Sequence, residues 1–219
     1  MSEELLLVGD SVTVGSGFSG VDDVTCYVSL LRAEFEAAGV DMQLQSSALD
    51  GADTAYVLRR FDRMVARMCP DVLVISLGLN DACPPGRRRR NTPAEYTANL
   101  ERLTERAFGI DVRPILCTPP PRLDVCRDGQ PAWKTMQPYA EGARQVADRY
   151  HLPLIELYDE FVARDDLASL LPDRLHPGRV GHRIIARQFA RTLLPLCAGR
   201  SMPAVPARRH PHFEFVTAD

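Results

Sequence analysis

The sequence holds no unbroken apolar stretch near the ~20 residues that a membrane-spanning helix needs. It has no excess of either charge: 26 Lys and Arg face 29 Asp and Glu, a net charge of −3. That balance implies no general affinity for nucleic acid. The six cysteines (Cys26, Cys69, Cys83, Cys117, Cys126 and Cys197) form no C-x-x-C pair, and none has a histidine at zinc-like spacing. They read as free thiols, although Cys117 and Cys126 are near enough in the chain to bridge a loop. No secretory leader is visible: the chain opens Met1-Ser2-Glu3-Glu4, acidic where a leader is basic, and the apolar run Leu5 to Val8 is too short for a signal core. The expected location is cytoplasmic. Neither G-x-x-x-x-G-K-[ST] nor G-x-G-x-x-G opens a helix after a strand, which sets a nucleotide-binding domain aside. Internal repeats are absent.

What remains is the material of an ordinary globular domain. The chain has 219 residues, 45% hydrophobic and 25% charged, enough for one sizeable core. The segment 199–219 is rich in proline and lacks periodicity. The expected division is a domain over 1–198 and an extended or disordered tail over 199–219.

Strand and helix signals alternate along the domain. Leu5 to Val8, Val40 to Gln45, Val72 to Leu77, Val112 to Cys117 and Leu154 to Leu157 read as strands, the third apolar on both faces. Between them, Thr25 to Ala38, Thr54 to Cys69, a stretch opened by Thr92-Pro93-Ala94-Glu95, and Met136 to Tyr150 carry apolar residues at helical spacing. Thr92 to Glu95 has the form of a capping box with proline at the first helical position. A last helix runs from about Val180 to Leu196. Five strands alternating with helices predict an α/β protein with an open parallel sheet. In such sheets ligands bind at the carboxyl ends of the strands.

Four chemically loaded segments fall at those ends. Gly9-Asp10-Ser11 follows the first strand, Ser47 to Thr54 the second, and Gly78-Leu79-Asn80-Asp81 the third, while Asp173-Arg174-Leu175-His176-Pro177 lies near the C-terminal helix. Acyl transfer needs a nucleophile, a base, a group that orients the base, and donors for the oxyanion. Ser11 supplies a hydroxyl and His176 an imidazole. Asp173, three residues earlier, can fix the ring tautomer. The backbone N–H groups of Ser11 and Gly51 and the amide of Asn80 are candidate oxyanion donors. Each residue alone also has a plain reading: Ser11 as a helix cap, Gly51 as a turn glycine, Asn80 as a loop former, His176 as a surface histidine.

Taken in order, the blocks resemble those of the SGNH hydrolases, also called GDSL-type esterases and lipases. Gly9-Asp10-Ser11, with Gly15 at its offset, is similar to the family's first block. "SALDGADTA" is similar to the second and points to Gly51. Gly78-Leu79-Asn80-Asp81 matches the third, and Asp173 to Pro177 the last. Val12 stands where leucine is common, and Leu49-Asp50 where small or polar residues are common. The resemblance implies a three-layer α/β/α, flavodoxin-like fold with a five-stranded parallel sheet. It implies hydrolysis of carboxylic esters through a Ser11 acyl-enzyme, without metal or organic cofactor. Asp173 and His176 would complete the catalytic set, Ser11, Gly51 and Asn80 the oxyanion hole, and Asp10 and Asp81 would brace the site.

A small-molecule ester is the expected partner. An acyltransferase or thioesterase would use the same residues. A non-catalytic binding module on a flavodoxin-like sheet is the alternative from another class. Arg87 to Arg90 leave the Asn80 loop, so Arg87 and Arg88 are candidates for attracting an anionic substrate, or simply face water. Trp133, the only tryptophan, is a candidate pocket wall or a core anchor. His151, His182, His210 and His212 have no comparable setting and are expected at the surface.

Overall fold

Seven residues, Glu3–Gly9, form β1, and its positions Leu5 to Gly9 are all buried. The computed structural model describes residues 3–82, 91–124 and 131–198. Arg87, Arg88, Cys83, Cys126 and the segment 199–219 lie outside them. After β1 come α1 (Ser11–Val14), α2 (Tyr27–Ala37), β2 (Met42–Ala48), α3 (Thr54–Arg59), α4 (Phe61–Met64), β3 (Val72–Ser76) and α5 (Pro93–Phe108). Then follow β4 (Arg113–Cys117), α6 (Gln137–Tyr150), β5 (Leu154–Ile155), α7 (Tyr158–Val162), α8 (Leu167–Leu170) and α9 (Arg179–Ala198).

All strand pairs are parallel, in the order β2-β1-β3-β4-β5. The central β3 is buried at every position, whereas the edge strand β2 is largely half-exposed. Right-handed crossovers fix the layers. The step from β1 to β2 runs one way along the sheet and the steps to β3, β4 and β5 run the other way. Accordingly α2 packs with α9, and α5 packs with α3 and α6. This is the three-layer α/β/α arrangement, flavodoxin-like in strand order. The order reverses between β1 and β3, so a crevice opens at their carboxyl ends, where Ser11 and Asn80 emerge.

Local chemistry explains most elements. On α5 both halves of the Thr92–Glu95 capping box are formed, and Tyr96, Leu100, Leu103 and Ala107 are buried. Pro114 sits inside β4 at no cost to the ladder. Its nitrogen shares a side with that of Leu116, which donates to Pro153, and β5 pairs only Leu116 and Cys117.

Three expectations change. The helix anticipated over Thr54 to Cys69 is broken into α3, α4 and a short 3₁₀ turn, Ala66–Met68. Arg106 of α5 donates to the Leu58 carbonyl at 3.0 Å, so the end of α3 is satisfied by a neighbour rather than by another turn. β5 is two residues long because the chain turns at once onto Thr118: the N–H groups of Leu157 and Tyr158 donate to its hydroxyl oxygen, which itself donates to Glu156. β2 starts at Met42 and runs on to Ala48, pairing there with Gly9. Among the described residues no helix is long and apolar enough to cross a membrane.

Candidate active site

Ser11 opens α1, a single turn set on the end of β1. The turn lies so close to the strand that a Cβ on Gly9 would fall 1.9 Å from the Thr13 hydroxyl oxygen. Asp10 caps it: its carboxylate accepts the Val12 N–H at 3.0 Å. From α2, the Tyr27 hydroxyl donates to Thr13 at 2.9 Å. Ser11 is therefore held by a strand, a cap and a neighbouring helix, and only 5% of it is exposed.

Asp173 and His176 share one turn. Oδ1 of Asp173 accepts the N–H groups of Leu175 and His176 at 2.9 and 2.6 Å. Its Oδ2 lies 2.7 Å from His176 Nδ1. On the other side of the ring, Nε2 lies 3.0 Å from Ser11 Oγ. Partial burial pushes the Asp173 carboxyl up, but the N–H and ring bonds from His176 and the N–H of Leu175 outweigh it and hold the group below its usual range. It stays ionised beside the ring, so Nδ1 carries the proton and Nε2 is left to accept from the serine. Arg174, inside the turn, has φ 70°. Its guanidinium donates to the Leu123 carbonyl, whose own N–H returns to the Arg174 carbonyl at 2.7 Å.

The second and third blocks also meet. Gly51 has φ 73°, the left-handed region where glycine is favoured. The Asn80 amide donates to the Ala52 carbonyl at 3.0 Å, which sets it beside the Gly51 turn. Next to it, buried Asp81 accepts from the N–H and hydroxyl of Thr54 and from the Asn91 amide at 2.7 Å. Asn99 donates to the Thr54 hydroxyl at 3.0 Å. Arg122, 3% exposed, donates to the Leu79 carbonyl at 2.7 Å and pairs with Asp124. Burial raises both bracing carboxylates, Asp10 to about 7 and Asp81 to about 6.

The described contacts of Trp133 lie with the core, with Tyr158, which donates to its carbonyl at 3.3 Å, and with the Lys134 ammonium 5.5 Å from its ring. Those contacts are with neither Ser11 nor His176. Arg87 and Arg88 fall outside the described residues. His151 is exposed as expected, but His182 is not: it is 1% exposed, and its Nδ1 accepts the Tyr27 N–H at 3.0 Å. Its helical spacing from Ile185 and Phe189, which puts it on the apolar face of α9, was the available signal. Sequence reasoning also missed Thr54, Asn91, Asn99, Arg122 and Phe18. Thr54 stands inside the second block and its role there was overlooked; the other four lie outside the blocks, and only folding brings them there. Among the described residues, no three His, Cys, Asp or Glu side chains are grouped to hold a metal ion.

A Ser–His–Asp chain thus stands at the carboxyl end of β1 in a parallel sheet of the α/β/α type. The profile of the GDSL-like Lipase/Acylhydrolase family matches residues 7–184, and the chain belongs to that family of carboxylic ester hydrolases. It is 27% identical over 209 residues to an acetylxylan esterase of Geobacillus stearothermophilus, covering 87% of this chain and 94% of that protein. Esterase TesA of Pseudomonas aeruginosa is 30% identical over 106 residues, about half of each chain (48% and 49%). Among solved structures, a lipase/acylhydrolase from Enterococcus faecalis superposes with a TM-score of 0.74 at 25% identity, covering 92% of this chain and 98% of that one.

Proposed function

We propose that the protein cleaves carboxylic esters through an acyl-enzyme on Ser11, with His176 as general base and acid and Asp173 as the group that orients it. The observation that carries this reading is the unbroken Asp173–His176–Ser11 chain, at 2.7 and 3.0 Å. His176 Nε2 takes the Ser11 proton as Oγ attacks the carbonyl carbon. It returns that proton to the departing alcohol oxygen, and water repeats the sequence to release the acid. Asn80, with the N–H groups of Ser11 and Gly51, stabilises the oxyanion. An amide carries two N–H groups, and the one bound to Ala52 aims the other. The near full-length likeness to an acetylxylan esterase supports a small acyl group, acetyl first, carried on a carbohydrate alcohol. The free thiols of Cys26, Cys69, Cys117 and Cys197 support a reducing, cytoplasmic setting.

The test is hydrolysis of p-nitrophenyl esters of increasing acyl length and of acetylated xylo-oligosaccharides, with wild type beside Ser11→Ala. The expected result is turnover greatest for acetyl esters and lost in Ser11→Ala, with an unchanged melting temperature. Retained turnover in Ser11→Ala overturns the mechanism. A preference for long acyl chains overturns the substrate assignment alone.

A further inference from the structure

We propose that the loop following the nucleophile, residues 15–22, positions the His176 imidazole, with Phe18 as the residue that holds the ring. The proposal rests on His176 acting as the general base, and it adds a residue that lies in none of the sequence blocks.

Phe18 stacks on the His176 ring, with centroids 4.4 Å apart and planes 29° from parallel. The next residue, Ser19, has φ 46°, a left-handed backbone that side chains rarely adopt. In that conformation its hydroxyl donates to the His176 carbonyl at 3.0 Å. One loop thus grips both the ring and the backbone of His176. It is itself fastened. Gly17 N–H donates to the Val21 carbonyl and Val21 N–H to the Phe18 carbonyl, at 3.0 and 2.8 Å. Arg179, at the start of α9, donates to the Gly20 carbonyl at 2.8 Å and pairs with Asp22 at 3.0 Å. Because the loop leaves α1 directly, the segment that carries the nucleophile and the segment that carries the base are braced by a single element.

The site needs such a brace. Asp173 holds Nδ1, yet the Asp173 side chain is 42% exposed, so water competes for its carboxylate. Rotation of the ring about its Cβ–Cγ bond would swing Nε2 off Ser11. A stacked aromatic face opposes that rotation and keeps water from one side of the imidazole. When the ring takes the Ser11 proton it becomes a cation lying against the Phe18 π-face, an attractive arrangement. The contact is then stronger in the transition state than in the resting enzyme, so its removal falls on kcat.

Phe18→Leu retains an apolar side chain without a π-face, whereas Phe18→Tyr retains the face. The measurements are kcat and KM for p-nitrophenyl acetate and the rate at which a fluorophosphonate labels Ser11. In that labelling, Ser11 Oγ bonds to phosphorus, fluoride leaves, and the serine proton passes to His176. For Phe18→Leu, kcat and the labelling rate are expected to fall about tenfold, with KM and melting temperature little changed. Phe18→Tyr is expected to stay within about twofold of wild type. Arg179→Gln, which frees the loop from α9, is expected to show a smaller loss in the same direction. An unchanged kcat in Phe18→Leu, equal losses in the Leu and Tyr variants, or a change confined to KM overturns the proposal. Ser11→Ala separates the two readings. Were it to keep turnover, the site assignment fails; an inactive Ser11→Ala beside a fully active Phe18→Leu sinks the positioning role alone.

Discussion

Asp10 shows how much a single side chain next to the nucleophile can alter. It caps α1, but burial raises its carboxyl from 3.8 to about 7. Between those values the folded state keeps a proton that the unfolded state has lost, so its contribution to stability falls as pH rises through that window. Asp10→Asn keeps an oxygen for the Val12 N–H and cannot ionise. Its melting temperature is expected to exceed that of wild type by several °C at pH 8, and by clearly less at pH 5, where only part of the window has been crossed. Calorimetry at the two pH values checks this. A gap of the same size at both would show that Asp10 ionises normally. Asp81, raised to about 6, sits in a better-bonded knot with Thr54 and Asn91, and its window ends correspondingly lower.

At the scale of elements, α1 and α5 start in different ways. The capping box of α5 is local: Thr92 and Glu95 satisfy each other's backbone N–H groups, and four residues suffice to specify it. The turn of α1 depends on a strand that brings Gly9 beneath Thr13. Gly9→Ala forces α1 away from β1 and moves Ser11. It is expected to cost about 2 kcal/mol or more, and nearly all esterase activity. Thr92→Ala is expected to cost about 1 kcal/mol and to leave kcat unaltered, because the bond it loses is to the Glu95 N–H, while Asn91 still holds Asp81. Urea unfolding paired with kcat on each variant distinguishes the two. Equal activity losses would mean that the start of α5 governs the site as much as α1 does.

At the scale of the whole molecule, the layer formed by α2 and α9 is joined by His182. Its Nδ1 accepts the first N–H of α2 only when the ring is neutral. Burial, with the neighbouring His176 charge adding to it, lowers its pKa from 6.5 to about 4. Within that interval the unfolded chain takes up a proton first, so stability drops as pH falls from 6.5 towards 4, by up to about 3 kcal/mol. Asp10 and Asp81 act in the opposite sense over much of the same range, which makes the wild-type curve alone uninformative. The difference in unfolding free energy between wild type and His182→Gln isolates the histidine. It is expected to be large at pH 7.5 and to shrink by pH 4.5. A constant difference would mean that the ring is not held neutral by the fold.

The sequence by itself determined the alternation of strands and helices, the capping box, the strand-end blocks and the family they belong to. These are short-range properties: an apolar period, a cap or a Gly-Asp-Ser turn is written in neighbouring residues. It also ordered Ser11, Asn80, Asp173 and His176 along the chain. The tertiary structure decided what depends on distance through space. It broke the helix after Arg59, where Arg106 takes the Leu58 carbonyl, and it cut β5 to two residues, where Thr118 turns the chain. It buried His182, whose surroundings come from α2 as much as from α9. It also brought Phe18 onto His176, a contact between residues 158 positions apart that no local pattern encodes. A hydrogen bond or a ring stack acts over a few ångströms. Which groups come that close is set by how the layers pack, and packing involves all the elements at once.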